Sequence, residues 1–478
     1  MKAHAVCLPF PAQSHIGAML KLAKLLHHQI GLCITFVNTE FNHRRLLAAR
    51  GASFTADLPA GSFQFAVIPD GLPPSEPNAT QSLASLCEAA RYHMAPPFCT
   101  LIGDLNSPAS SGFPPVSLIV TDGVMKFSAD PAGVKFGIPV VELYTVAASF
   151  LMVSMKDPLL KDRSFALLDR IGMAGEENRI PGMKNITLSD LPSSMGLPDP
   201  DNMILNLMRD VMERMGKASA TIIHTFQALE ADVMNAFSYM FDTPFYAIGP
   251  FHLLTAKIPA VDGGLNRIGC NLWKEDSECL RWLNLQEPRS VLYINFGSIA
   301  SLTTQQLVEF AMGIAGSNHP FLWIIRPDLV TGSPAAMEAL PPEFGEETKG
   351  RGFISEWCAQ EEVLNHPSVG GFLTHCGWNS VLESLSAGVP MLCWPCGGDQ
   401  VINSKYVCME WEAGLEIDQD VKRHGVVSVV REMMGGGEKG KHLMNSAMAW
   451  KEKAMAAIGP LGSSSMNLDK LLQHVLSK

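Results

Sequence analysis

A polar cluster interrupts two apolar runs between Phe372 and Pro390, in the stretch FLTHCGWNSVLESLSAGVP. Five of its side chains can bind or stack on a ligand: His375, Trp378, Asn379, Ser380 and Glu383. A helix that starts near Asn379 would expose free backbone N–H groups and the positive end of its dipole, which together bind phosphate groups. An ordinary capped helix would also use Asn and Ser at this point. The cluster therefore predicts a diphosphate site, with simple capping as the alternative.

A candidate general base lies near the N-terminus. His15 comes just after the first apolar run, at the start of a predicted helix over Ile16–His27 with Ser14 as its N-cap. The start of a helix disfavours the imidazolium ion, so a neutral ring could accept a proton there. Asp122, at the end of another apolar run, could hold the second ring nitrogen and stabilise the imidazolium that forms. A solvated surface histidine is the alternative interpretation.

Two short motifs are of types that also occur in metal or redox sites. The pair Cys393 and Cys396 forms a CxxC motif, but it begins inside a predicted strand and has no second pair to complete a zinc site. Asp418 and Asp420 form a DxD motif between a predicted strand and a helical segment, where helix capping explains it. We therefore expect buried free thiols and no bound metal.

The bulk composition limits the classes of function. At 478 residues the chain is longer than one hydrophobic core usually supports, so two domains are expected. Its 47% hydrophobic and 17% charged residues fit a globular protein, and its net charge of −11 argues against nucleic acid as a partner. Polar and proline positions interrupt the first 20 residues, and no apolar run reaches the length of a membrane helix. We expect a cytoplasmic protein without membrane insertion.

The elements that must position these side chains are short apolar runs alternating with helical patterns. Twelve runs are predicted as strands: Ala3–Leu8, Cys33–Val37, Phe63–Ile68, Leu118–Thr121, Val140–Tyr144, Thr221–Thr225, Val291–Phe296, Phe321–Ile325, Phe353–Ser355, Gly371–Thr374, Met391–Trp394 and Leu415–Ile417. Such alternation predicts α/β domains with doubly wound parallel sheets. The predicted boundaries are 1–248 for the first domain, 249–272 for a linker and 273–459 for the second domain.

The 44 residues from Trp357 to Gln400 carry a specific pattern: W-x-x-Q, then HPSVGGFLTHCGWNS, then a final DQ. This stretch resembles the signature segment of plant family 1 UDP-glycosyltransferases. The resemblance extends over nearly the whole chain through the motifs PFPAQSHI, TDGVM and NFGS. The N-terminal part looks most like the branch that glucosylates cyanohydrins and iridoids. The resemblance implies a GT-B fold, with two Rossmann-like domains facing a central cleft and a C-terminal helix at about 460–478 that packs back on the first domain.

The resemblance also implies roles for individual residues. His15 and Asp122 match the catalytic dyad of the family. The implied UDP-sugar site comprises Thr145, Ser298, Trp357, Cys358, Gln360, His375, Gly377, Trp378, Asn379, Ser380, Glu383, Asp399 and Gln400. Trp357 would stack on uracil, Glu383 would bind the ribose, and Thr145 would reach the 6-position of the sugar. A final Gln in the segment goes with glucose in the family, so UDP-glucose is the implied donor.

The implied reaction is a metal-independent, cofactor-independent and inverting transfer that yields β-glucosides. The expected partners are the UDP-sugar and a small hydrophobic acceptor, such as a terpenoid or iridoid alcohol, bound near Phe150 and Met195, and the protein is expected to be a monomer. A flavonoid or phenol acceptor and the extension of an existing sugar chain stay open. Two other classes are a non-catalytic nucleotide-sugar binder and a dinucleotide oxidoreductase. No GxGxxG motif follows the first predicted strand, which disfavours the oxidoreductase.

The chain departs from the family pattern in two places. Gln13–Ala18 reads QSHIGA where the family has Q-G-H-I-N-P, so a serine precedes the predicted base and a proline is lost three residues after it. Gly397 and Gly398 stand where the family has a bulkier pair. We expect the two glycines to widen the junction between the sugar and the acceptor.

Overall fold

The computed structural model describes residues 3–51, 54, 58–59, 61–75, 80–107, 112–156, 172–173, 178–190, 203–259, 265, 268–269, 271–331 and 336–476. The chain divides into two compact units. The first contains Met1–Trp273 together with Ala456–Lys478, and the second contains Lys274–Met455.

The first unit is built on a seven-stranded parallel sheet with the order β3-β2-β1-β4-β5-β6-β7. Its strands are β1 His4–Leu8, β2 Cys33–Thr39, β3 Phe63–Ile68, β4 Leu118–Asp122, β5 Val140–Tyr144, β6 Ala220–Ile223 and β7 Phe245–Ala247. Its helices are α1 Gln13–Ile30, α2 Glu40–Arg50, α3 Leu83–Glu88, α4 Ala95–Leu105, α5 Lys126–Phe136, α6 Ala148–Met155, α7 Met203–Arg214, α8 Ala231–Met240 and α9 Phe251–Thr255.

The second unit is built on a six-stranded parallel sheet with the order β10-β9-β8-β11-β12-β13. Its strands are β8 Val291–Asn295, β9 Phe321–Ile324, β10 Gly352–Ser355, β11 Val369–Thr374, β12 Met391–Cys393 and β13 Gly414–Glu416. The helices that follow are α10 Glu278–Leu283, α11 Thr304–Ser317, α12 Pro342–Glu347, α13 Gln360–Leu364, α14 Trp378–Ala387, α15 Asp399–Lys405, α16 Arg423–Met434, α17 Glu438–Ala457 and α18 Ser463–Leu476, the last lying in the first unit.

The central strands are buried over their whole length and mostly apolar, because helices cover both faces of each sheet. Every residue of β1, β2 and β8 is buried. This burial explains why the sequence shows continuous apolar runs rather than alternating ones. The doubly wound α/β fold is confirmed, and each of the twelve predicted strands overlaps an observed one. Among the strands in the described part of the chain, β7 alone was missed, because its three-residue Phe-Tyr-Ala sequence is too short to stand out as a strand.

The strand order places one topological switch point in each sheet, and ligands bind at such points in doubly wound folds. In the first unit the order reverses between β1 and β4, whose carboxyl ends lead to His15 and Asp122. In the second unit it reverses between β8 and β11, whose carboxyl ends lead to Ser298 and His375. The predicted chemistry thus follows the strands on either side of both switch points.

Helix α1 begins earlier than the sequence predicts. Its N-cap is Ala12, in an extended conformation, and Gln13 is already helical. The assignment of Ser14 as the N-cap was therefore wrong: this residue lies within the first turn, together with His15. At the other end, Gly31 closes the helix in the left-handed conformation, with φ of 66°.

The stretch 249–272 contributes to the core of the first unit. Phe251 and Leu254 of α9 are buried in this core, as are Leu265 and Leu272 further along the stretch. Helix α18 also packs here: Ser464 donates a hydrogen bond to the Gly249 carbonyl. Among the helices in the described part of the chain, none combines the length and the apolar content needed to cross a membrane.

Candidate active site

The switch point of the first unit brings His15 and Asp122 into contact. The Nδ1 atom of His15 lies 2.7 Å from Oδ2 of Asp122, and the aspartate is only 1% exposed. An ionised carboxylate can only accept hydrogen bonds, so Nδ1 carries the hydrogen. The lone pair of the neutral ring is then on Nε2. A ring in this tautomer can take a proton through Nε2 while the carboxylate stabilises the positive charge that results.

A buried ion pair anchors the segment that follows Asp122. The other carboxylate oxygen of Asp122 accepts from the backbone N–H of Val124 at 3.0 Å. At the start of α5, Lys126 pairs with Glu142 of β5, and both side chains are about 1% exposed. Tyr144 donates to the same glutamate at 3.0 Å. Burial raises the pKa of Glu142, and the Lys126 ammonium opposes this rise. The ion pair therefore links the segment that follows Asp122 to strand β5.

Thr145 supplies a second contact to the histidine. Its Oγ1 lies 2.8 Å from Nδ1 of His15, so the Nδ1–H group is positioned between this hydroxyl and Asp122. The segment after Thr145 is held by the buried Glu230, which accepts from the backbone N–H groups of Ala148 and Ser149 at 3.0 and 2.8 Å. Sequence reasoning assigned Thr145 to the sugar alone, and the contact with His15 suggests a positioning role as well.

This contact predicts different effects for two substitutions at Thr145. Thr145→Val removes the oxygen but keeps the branched shape, and we expect kcat to fall about tenfold because the imidazole is held by one partner instead of two. Thr145→Ser keeps the oxygen and should stay within about threefold of the wild type. The kcat values of both variants are measured by steady-state kinetics with UDP-glucose, the donor that the family resemblance implies, and an acceptor that the wild-type protein glucosylates. Equal losses in the two variants would contradict the role of the hydroxyl.

In the second unit, Gln360 at the start of α13 is the centre of a hydrogen-bond network. Its Nε2 donates to Ser380 Oγ at 3.0 Å and to Glu383 Oε2 at 2.7 Å. Its Oε1 accepts from the Tyr293 hydroxyl at 3.0 Å and from Asn295 at 2.9 Å. Three of the predicted ligand residues therefore lie together, within reach of the hydroxyl and phosphate groups of one small molecule. Sequence reasoning missed Tyr293 and Asn295, whose signal was two polar side chains in an otherwise apolar strand.

His375 lies between two glycines. A Cβ atom at Gly297 would lie 2.5 Å from the His375 ring, and a Cβ atom at Gly377 would lie 2.4 Å from its Nε2. Burial and the nearby Arg326 guanidinium lower the pKa of His375 to about 4. The ring is therefore neutral at physiological pH and carries one N–H group. Only glycine on both sides leaves room for this ring, which explains part of the NFGS and HCG motifs.

Helix α14 runs from Trp378 to Ala387, and Gly388 caps its end with φ of 74°. Its first turn carries Asn379 and Ser380, so the N–H groups that have no acceptor within this ten-residue helix lie beside His375. Trp378 itself is buried, with its ring centroid 6.2 Å from that of Trp411. Its side chain therefore belongs to the core, which leaves the backbone as the part of Trp378 that can bind a ligand.

The DQ pair is linked to the same region through Asn403. The Asn403 amide donates to Asp399 at 3.0 Å and to the Cys376 carbonyl at 2.9 Å. Gln400 accepts from the backbone N–H of Cys396 at 2.8 Å. Gly397 and Gly398 have φ of 143° and 62°, and nothing lies within 4 Å of a Cβ placed at either. The space beside Asp399 and Gln400 is therefore open.

The remaining predicted residues are distributed as follows. Trp357 is partly buried before α13, and Cys358 is buried, with its sulfur 3.4 Å from the Tyr293 hydroxyl. Phe150 of α6 is buried, and Met195 lies outside the described residues.

In the DxD motif, Asp418 accepts from the backbone N–H of Asp420 at 2.9 Å, a local turn contact. Among the described residues, no three His, Cys, Asp or Glu side chains are arranged to hold a metal ion.

Comparisons with known proteins identify the family of this chain. The family profile described as UDP-glucoronosyl and UDP-glucosyl transferase matches residues 128–459. A 7-deoxyloganetin glucosyltransferase from Gardenia jasminoides is 50% identical over 100% of this chain and 98% of its own length. An (R)-mandelonitrile beta-glucosyltransferase from Prunus dulcis is 46% identical over 99% of this chain and 97% of its own length. The solved structure of a UDP-glucosyltransferase from Polygonum tinctorium capable of glucosylating indoxyl matches with a TM-score of 0.77 at 26% identity, covering 100% of both chains.

Proposed function

Because the chain belongs to the UDP-glucoronosyl and UDP-glucosyl transferase family, we propose that it transfers glucose from UDP-glucose to the hydroxyl group of a small hydrophobic acceptor. The class of enzyme, a UDP-glycosyltransferase with a GT-B fold, is shown by the family match and by the solved relatives. The donor, the roles of individual residues and the acceptor are the proposal.

The observation that carries the mechanism is the contact between His15 and Asp122. In our proposal, Nε2 of His15 takes the proton of the acceptor hydroxyl as the acceptor oxygen attacks the anomeric carbon of glucose. The bond between that carbon and the UDP oxygen breaks, and UDP leaves with the electron pair. Attack opposite the leaving group inverts the anomeric centre, so an α-linked donor gives a β-glucoside. Asp122 stabilises the imidazolium through the Nδ1–H group at 2.7 Å.

The second unit would hold the nucleotide. The first turn of α14 and the neutral His375 offer N–H groups to the diphosphate, and the positive end of the helix dipole stabilises the growing charge on UDP. Ser298, at the carboxyl end of β8, would add a further donor. Gln360 and Glu383, already paired at 2.7 Å, suit the hydroxyl groups of the ribose. Trp357 would stack on uracil, and Asp399 and Gln400 would bind the hydroxyl groups of glucose.

The acceptor class is supported by the relatives. The Gardenia relative is named for 7-deoxyloganetin and the Prunus relative for (R)-mandelonitrile, and both match along almost their entire length. We therefore propose a small alcohol of the iridoid or cyanohydrin type. Helix α6, with Phe150, follows the Thr145 segment and would contribute an apolar wall near the base.

One experiment tests this proposal. Purified protein is incubated with UDP-glucose or UDP-galactose and a panel of iridoid, cyanohydrin, flavonoid, phenolic and glycosylated acceptors, with and without a strong chelator. We expect a β-linked product, identified by the anomeric proton coupling in NMR, with UDP-glucose and an iridoid or cyanohydrin, unchanged by the chelator. Preference for a flavonoid or for a glycosylated acceptor would replace the proposed acceptor class. Binding of UDP without turnover of any acceptor would favour a nucleotide-sugar binder. The cytoplasmic location and the monomeric state stay predictions.

A further inference from the structure

A buried cation lies behind the loop that follows β8. Arg326, two residues after the end of β9, is only 2% exposed. Its guanidinium donates to the Ser298 carbonyl at 2.8 Å and also to the Ala300 carbonyl. Two carbonyl groups of the loop are thus turned toward Arg326. Nothing in the family resemblance or in the sequence patterns assigns a role to this residue.

The direction of these carbonyls fixes the direction of the amides. In a trans peptide the C=O and N–H groups point to opposite sides. The N–H groups of Ile299 and Ser301 therefore point away from the guanidinium, and Ile299 is 41% exposed. Arg326 consequently orients this loop so that these two N–H groups face away from it. They lie next to Ser298, at the switch point proposed to hold the diphosphate.

The charge of Arg326 is only partly balanced. Its one ion pair among the described residues is with Asp328 at 3.0 Å, and that side chain is 33% exposed to solvent. The Nε atom is buried and finds no hydrogen-bond partner within the described part of the chain. The guanidinium is also close enough to His375 to lower the pKa of that ring. A buried cation of this kind is costly unless a further negative group compensates it.

We propose that Arg326 is a positioning residue for the UDP diphosphate, which orients the loop after β8 and places a fixed positive charge behind the anion. This inference rests on the proposed function, since it requires that UDP binds at the second unit. A purely structural role would affect the fold but would not distinguish a charged ligand from an uncharged one. UDP and uridine provide that distinction, because they differ only in the diphosphate.

The test measures dissociation constants for UDP and uridine by calorimetry in four variants. Asp328→Asn keeps the hydrogen-bond acceptor and removes the balancing negative charge, so we expect UDP to bind about three- to tenfold more tightly and uridine to be unchanged. Arg326→Met should weaken UDP binding at least about tenfold and uridine binding less than about twofold. The UDP affinity of Arg326→Lys should lie between that of Arg326→Met and that of the wild type. Asp420→Asn, which removes an exposed carboxylate of the same unit, is the control for net charge and should change neither.

The outcomes separate the two proposals. If the Arg326 variants do not fold, Asp328→Asn decides alone, because its side chain is partly exposed and its replacement has the same shape. The role of Arg326 would be refuted if every folded variant had the same ratio of UDP affinity to uridine affinity as the wild type. A wild-type protein that fails to bind UDP would refute the proposed function instead.

Discussion

Replacing His15 by alanine is expected to lower the rate of glucosylation about a thousandfold and to leave the dissociation constant for UDP within about twofold. General base catalysis by a positioned side chain typically contributes 10²- to 10⁴-fold to the rate. The nucleotide is proposed to bind through side chains of the second unit, so the loss should fall on kcat alone. Product formation by chromatography and UDP binding by calorimetry are the two measurements.

Asp122→Asn refines the same prediction. The amide cannot stabilise the imidazolium as a carboxylate does, and its NH₂ group favours the wrong tautomer of His15, so a loss of about a hundredfold or more is expected. His28→Ala, in the last turn of the same helix, is the control and should behave as the wild type. Full activity in His15→Ala would remove the dyad from the mechanism, and loss of UDP binding in this variant would show that its effect is not confined to catalysis.

The sequence predicted best where apolar runs and long motifs coincide. Twelve strands could be located because a strand buried on both faces reads as a continuous apolar run, as in β1 and β8. The start of α1 was misplaced because Ala12 supplies no capping side chain, so the chain carries no local signal at that boundary. The start of helix α14 was predicted near Asn379, within one residue of its observed start at Trp378.

The predicted site residues came from motifs, and the residues that support them came from the structure. Lys126 and Glu142 are 16 positions apart, and only the pairing of β4 with β5 brings them together behind Asp122. Arg326 contacts Ser298 in the same way, because β8 and β9 are neighbours in the sheet. Contacts of this kind depend on strand order, which short motifs do not encode. For Glu142, the available signal was a charged residue inside the apolar run of β5.

The substitution Gly377→Ala tests the diphosphate site with one added methyl group. A Cβ atom at this position would lie 2.4 Å from Nε2 of His375, and the opposite side of the ring is equally close-packed, since a Cβ atom at Gly297 would lie 2.5 Å from it. The backbone itself tolerates alanine, since Gly377 has φ of −60°. The added methyl group must therefore displace His375 or the start of α14. We expect UDP to bind about 10- to 100-fold more weakly, the loss of about one hydrogen bond to a charged group.

Two companion variants make this result specific. Gly345→Ala adds the same methyl group in helix α12 of the same unit, where nothing lies within 4 Å, so UDP binding should not change. In His375→Ala the ring is absent, and adding Gly377→Ala to this variant should cost little further affinity, because the two substitutions act through one contact. If Gly377→Ala bound UDP as tightly as the wild type while its thermal unfolding was also unchanged, His375 and the start of α14 would not form the diphosphate site. If the double variant lost the sum of both effects, the methyl group would act on UDP by a route other than the imidazole.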